Sequence, residues 1–270
     1  MKPTSLLPVT LNASKEEIRS YFHNSYNLFE SLFTIFSDDS VFYRKSEPTR
    51  HPMIFYFGHT ATFYINKLML GGVVKERINP EYESLFAIGV DEMSWDDMNA
   101  NRFSHIDVED VRAYRNKVRE LIDNLITTLP LTSPITQDSP WWIILMGIEH
   151  ERIHIETSSV LHRQMPIECI KPNLTQFPIA KDQEAPKNYL VEIKGKEVEL
   201  GKDNKHHLYG WDNEYGTRSE KIEDFQVGAY LVSNAEFMEF MLDGGYAKKE
   251  YWSEEGQRFL EIQKAKHPTF

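Results

Sequence analysis

Gly147-Ile148-Glu149-His150-Glu151-Arg152-Ile153-His154-Ile155-Glu156 is the stretch on which the reading of this chain turns. It lies inside Trp141 to Met165, a run with no interior proline. On a helix, with about 100° per residue, His150 and His154 share one face a turn apart. Ile143, Gly147, Thr157 and Leu161 fall on the same stripe, so both imidazoles project from a face that is otherwise apolar or small. Burying imidazoles there is costly without partners. A divalent metal is one partner, since neutral imidazole is the commonest metal ligand. A pair of core histidines bonded to other side chains is the other reading.

Outward from this stretch, helices dominate the first half. Ser14-Lys15-Glu16-Glu17 reads as a capping box, and Ile18, Phe22, Ser25, Phe29, Leu32 and Phe36 follow at helical spacing to about Ser37. Pro52 suits the first turn of a second helix, Met53 to Leu70, apolar nearly all round and therefore central. His59 sits mid-helix between Gly58 and Thr60-Ala61, small residues that admit a neighbouring element, and Gly71-Gly72 ends the helix. Residues 73–106 read as irregular, with the acidic, aromatic segment Asp91 to Asp97 as a surface loop pinned by Trp95. Asp107 or Ser104 caps a third helix with stripe Val111, Tyr114, Val118, Leu121, Leu125 and Leu129. Arg112, Arg115, Lys117 and Arg119 read as its solvated face. Ser139-Pro140 opens the fourth helix. Four long amphipathic helices joined by loops make a helical bundle, and bundle metal sites form where facing helices meet in the core.

After Met165-Pro166 the texture changes. Lys171 to Lys187 holds three prolines and no helical period, so it reads as a linker. Tyr189–Ile193, Lys196–Leu200 and Phe225–Val232 alternate as strands do, and Asn234–Leu242 reads as a short helix closed by Gly244-Gly245. The domains expected are a bundle over 1–170, a linker over 171–188 and the opening of an α+β domain over 189–270.

The composition narrows the function. A net charge of −11 argues against nucleic acid or an anionic membrane as partner. The single cysteine, Cys169, rules out an internal disulfide and a cysteine-based metal cluster. There is no signal-peptide core at the N-terminus and no run of the ~18 apolar residues that span a bilayer, so a soluble cytoplasmic protein is expected.

His150-Glu151-x-x-His154 matches the zincin signature literally, with Glu151 as the would-be base of a zinc peptidase. A zincin also needs a third downstream ligand and a substrate-binding strand; a proline linker lies downstream and helices upstream. A third histidine from another helix is the alternative. His59 is the candidate and His51 its rival, about 12 Å apart along a helix, so only one can reach a given ion. Three histidines with open positions suit zinc or non-haem iron(II). Glu156, about 200° round from His154, is better placed as a bundle or supporting partner. His162 lies off the stripe and is expected to be exposed, and His206-His207 to lie in a solvated loop.

His150, His154 and Glu156 in the pattern His-x-x-x-His-x-Glu, with Gly58-His59-Thr60 on an aromatic helix, resemble the DinB-type iron-binding half of the sulfoxide synthases of thiohistidine biosynthesis. Tyr209–Gly216, Val232–Phe237, Gly244-Gly245-Tyr246 and Trp252–Gly256 resemble the start of a formylglycine-generating-enzyme-like (C-type-lectin-like, sulfatase-modifying factor) domain. Arg50–Thr60, Val90–Asp97 and Asp138–Trp142 resemble one branch, the 5-histidylcysteine sulfoxide synthases of ovothiol biosynthesis. The resemblance implies a DinB-like four-helix bundle followed by an incomplete α+β domain. It implies Fe(II) held by His59, His150 and His154, and L-histidine, L-cysteine and O2 as partners. Ile153 stands where the ergothioneine branch tends to be polar, which fits a different histidine-type substrate. The family's catalytic tyrosine lies beyond residue 270, and its second domain is much longer. The chain is therefore expected to bind iron but to turn over poorly without a partner chain that completes that domain. A DinB-like zinc-dependent thiol transferase, and a folded bundle without activity, are the other readings.

Overall fold

The computed structural model describes residues 5–87, 100–171 and 184–268. Seven α-helices and four strands occur among them: α1 (Lys15–Phe33), α2 (Met53–Leu70), α3 (Pro80–Leu85), α4 (Val108–Thr128), α5 (Pro140–Arg163), β1 (Leu190–Ile193), β2 (Lys196–Leu200), β3 (Arg218–Ile222), β4 (Phe225–Gly228), α6 (Asn234–Leu242) and α7 (Glu254–Gln263). Packing divides the chain into two units, Met1–Pro178 with Lys202–Gly216, and Ile179–Gly201 with Thr217–Phe270.

The four long helices form the first unit, in which α5 packs on α1 and α2, and α4 on α1 and α2. Their starts follow local chemistry. Ser14 and Glu17 form a reciprocal capping box, Asp107 accepts the Glu109 amide, and Ser139 accepts the Trp141 amide ahead of Pro140. Pro52 stands at the cap of α2, one place before the first turn. The stripe of α1 runs on to Phe36, but the helix stops at Phe33. The chain turns there so that Phe36 can pair with Ile170, and Phe33 and Phe36 enter an aromatic cluster with Phe42. Within the segment read as irregular, Asn79 caps α3 and Pro80 opens it.

Two positions expected at the surface are inside. Arg115 is fully buried, and His162 is 5% exposed. His162 lies off the stripe of His150 and His154 yet faces the end of α1, where its ring meets the edges of Phe33 and Phe36 at 5.0 and 4.9 Å. Neither of its ring nitrogens has a hydrogen-bond partner, and burial lowers its pKa to about 4.

Residues 202–216, expected within the second domain, pack with the bundle. Leu11 N donates to the His207 carbonyl at 2.8 Å, and Tyr209 packs its ring on Trp142. In the second unit β1 pairs antiparallel with β4, and β2 with β3; β3 was not foreseen from the sequence. Both ladders keep one register, so they form a single two-stranded ribbon interrupted at Lys194-Gly195 and Glu223-Asp224. A Cβ at Gly195 would sit 2.2 Å from the Ile222 carbonyl, so the interruption needs glycine. Leu231, Leu242 and Ile262 of this unit are exposed. No helix among the described residues is long and apolar enough to cross a membrane.

Gly147 brings α5 onto α2: a Cβ there would lie 2.1 Å from the buried Tyr64 ring. Gly147→Ala gains about 1 kcal/mol of helix propensity and costs about 1–3 kcal/mol of overpacking, so urea denaturation should report a net loss. His162 gives a pH signature. Its folded pKa is depressed, so its contribution is complete above the unfolded value of 6.5 and is lost as pH falls through about 4. That contribution is about 3 kcal/mol. His162→Phe should flatten the stability profile across that window by about one proton.

A three-histidine centre between two helices

His59 comes from the middle of α2, and His150 and His154 from adjacent turns of α5. The glycine before His59 sets up the site. A Cβ on Gly58 would lie 2.6 Å from the Phe86 ring, so only glycine lets Phe86 settle against α2. That seating brings the Phe86 carbonyl 2.7 Å from His59 Nδ1. A carbonyl only accepts, so Nδ1 donates and Nε2 keeps its lone pair. On the flank, Phe55 stacks on His59 at 5.3 Å and Phe63 on His150 at 3.7 Å.

The three rings converge, with centroids 5.0, 4.8 and 4.6 Å apart. One ring nitrogen from each lies within 4.8 Å of the others. This is the only such group of three or more His, Cys, Asp or Glu among the described residues. Nδ1 of His150 and Nδ1 of His154 are buried with no hydrogen-bond partner. Burial, reinforced by the neighbouring imidazoles, holds His150 well below its usual pKa, and burial with His59 beside it lowers His154 to about 3. His150 and His154 are thus poised as neutral donors. Three nitrogens on one tetrahedral ion at ~2.1 Å are ~3.4 Å apart, so each ring needs an inward shift of less than about 1 Å to hold a divalent cation. Neutral nitrogen donors without a thiolate suit zinc or iron(II).

A bundle with this site between α2 and α5 is matched by a family. Residues 21–158 match the model of the DinB superfamily. The chain belongs to the DinB superfamily. It is 28% identical over 227 residues to hercynine oxygenase of Mycolicibacterium smegmatis, covering 81% of this chain and 49% of that protein. It is 26% identical over 212 residues to ergothioneine biosynthesis protein 1 of Neurospora crassa, covering 72% and 24%. Hercynine oxygenase of Mycolicibacterium thermoresistibile is 25% identical over 224 residues, covering 81% and 47%. The chain spans about half the length or less of these curated relatives.

In this DinB-superfamily bundle the other sequence candidates lie apart from the centre. His51 is buried and packs its ring on Phe55 at 4.1 Å, and it is not among the three histidines that converge. Glu156 is exposed and holds no place in the site. His206 and His207 stack on each other in the 202–216 segment. Asp91 to Asp97 fall outside the described residues.

Glu151, the base of the peptidase reading, is fully buried, and its Oε1 accepts from Thr60 Oγ1 at 3.4 Å and Arg115 Nη2 at 3.5 Å. Burial pushes its carboxyl up to about 7 against the pull of Arg115. It is thus engaged with α4 and α2 and unavailable to activate water, which removes the peptidase reading. Arg115 also donates to the Phe57 carbonyl at 2.7 Å, to Thr60 Oγ1 at 2.9 Å and to Glu30 at 3.0 Å. It is a positioning residue that the sequence reading placed in solvent. The available signal was its spacing: four residues after Val111, it lies on the apolar stripe of α4.

Removing this guanidinium leaves two carboxylates and a carbonyl facing each other in the core. Arg115→Met should cost about 3–5 kcal/mol by urea denaturation. Arg115→Lys, which keeps the charge but loses the fork, should lose less.

Proposed function

We propose that His59, His150 and His154 bind iron(II), and that the chain is the DinB part of a sulfoxide synthase joining L-cysteine to C5 of L-histidine, the ovothiol branch. The observation that carries the metal assignment is the convergence of one ring nitrogen from each of three histidines within 4.8 Å, two of them buried and the third half-buried. The reaction class is supported by the names of the relatives, two hercynine oxygenases and an ergothioneine biosynthesis protein. The branch is supported by the segments around Arg50–Thr60 and Asp138–Trp142 and by apolar Ile153, and L-histidine in place of hercynine is part of the proposal.

The overall reaction balances. A C5–H and an S–H bond are broken and a C–S bond forms; one oxygen atom of O2 goes to sulfur and the other leaves as water. Iron(II) would supply the activation of oxygen. The chain's own contribution is to hold three imidazole donors on two rigid helices and to leave the remaining positions open to substrates. Phe55 and Phe63 wall the centre with apolar surface and limit water. The second unit is read as the start of a formylglycine-generating-enzyme-like domain. The chain is accordingly proposed to bind metal at these three histidines.

Anaerobic titration should find one iron(II) per chain, with affinity falling by at least about a hundredfold in His59→Ala. Oxygen consumption should require L-histidine and L-cysteine together. No stoichiometric binding, or a His59→Ala variant that matches the parent, contradicts the metal assignment. A preparation that holds zinc and consumes no oxygen would instead fit thiol transfer.

A further inference from the structure

We infer that Lys67 is the residue that receives the carboxylate of an amino acid bound at the three-histidine centre, with Phe63 as the apolar wall beneath it. The inference rests on the proposed metal centre. His59, Phe63 and Lys67 follow at four-residue spacing and climb one side of α2. Helical side chains lean toward the N-terminus, so Lys67 folds back over Phe63. Its Nζ lies 5.3 Å from the Phe63 ring centre. That ring is itself stacked on His150, with 3.7 Å between centroids and 7° between planes. Phe63 and Lys67 are both half-buried, whereas Tyr64, Ile65 and Leu68 between and beside them are fully buried, so this edge of α2 is the one that opens outward.

The charge lies over Phe63 and in the last turn of α2, where it complements the helix dipole, but it has no carboxylate partner among the described residues. No ion pair joins Lys67 to a carboxylate among the described residues. A cation at this edge would repel a bound metal ion, so it does not serve the metal itself. It does serve a zwitterionic ligand. An amino acid whose side chain donates to the centre carries its carboxylate a few bonds away, and Lys67 stands one aromatic ring from His150. The aromatic wall lowers the local dielectric, which strengthens an ion pair formed against it. Ammonium suits this task because it offers three donors and adapts its direction to the ligand.

The test uses the full chain loaded with cobalt(II), whose visible spectrum reports ligands entering the centre. L-cysteine is compared with cysteamine, and L-histidine with histamine, each pair differing only in the carboxylate. In Lys67→Met the cobalt affinity should stay within about threefold of the parent. The dissociation constant for at least one amino acid should rise about ten- to a hundredfold while that of its decarboxylated partner barely moves. Lys67→Arg should recover part of the preference and serves as the folded control. Equal changes within both pairs, or none, overturn the assignment of Lys67 and leave the metal centre standing. A parent chain that takes up no metal overturns both together.

Discussion

The guanidinium of Arg115 reaches from α4 to each of the other three long helices: Glu30 on α1, Phe57 and Thr60 on α2, and Glu151 on α5. It also lies over the rings of Tyr26, Phe29 and Phe57 at 4.5, 5.0 and 4.8 Å. A fully buried charge of this kind is tolerated only when its donors are occupied. Helix register is the consequence. Apolar side chains can slide past one another at little cost, but a fork that must meet two carboxylates, a carbonyl and a hydroxyl cannot. Phe57 and Thr60 bracket His59, and Glu151 adjoins His150. The interaction that sets how α2 and α5 face each other is therefore one residue or two removed from the imidazoles that meet between them.

Two polar assemblies thus share the α2–α5 interface and divide the work. Arg115 and Glu151 lie on the side of α4 and α1 and are neutralised internally. His59, His150 and His154 lie on the other side with one ring nitrogen of each turned toward the others, and burial keeps His150 and His154 neutral. Glycine makes the close approaches possible at two points, Gly58 under Phe86 and Gly147 under Tyr64. The first sets the His59 tautomer through the Phe86 carbonyl, so a residue without a side chain decides which nitrogen of its neighbour keeps a lone pair. Outward of this centre the surface changes from aromatic at Phe63 to cationic at Lys67.

Much of this was legible in the chain itself. The four long helices, their serine and aspartate caps, the central place of α2 and the pairing of His150 with His154 on one face follow from spacing and cap chemistry, which act within a few residues. Strands β1, β2 and β4 followed from alternation, β4 ending at Gly228 rather than at Val232. Strand β3 escaped because Arg218-Ser219-Glu220-Lys221-Ile222 carries almost no apolar signal: its state is set by the β2 ladder. Residues 202–216 joined the bundle through Tyr209 on Trp142 and the His207 carbonyl, contacts with partners far away in sequence.

The sequence by itself determined which residues could serve as donors, because a pair of histidines four apart must share a helix face and a histidine amid small residues must sit where another element comes close. Tertiary structure alone decided which polar residues are inside and to what end. Arg115 and Glu151 are ordinary helix-surface residues by type, and His162 reads as solvated, until α1 and α4 close over them. Whether such a group is buried depends on what packs across from it, and that is information no single helix carries.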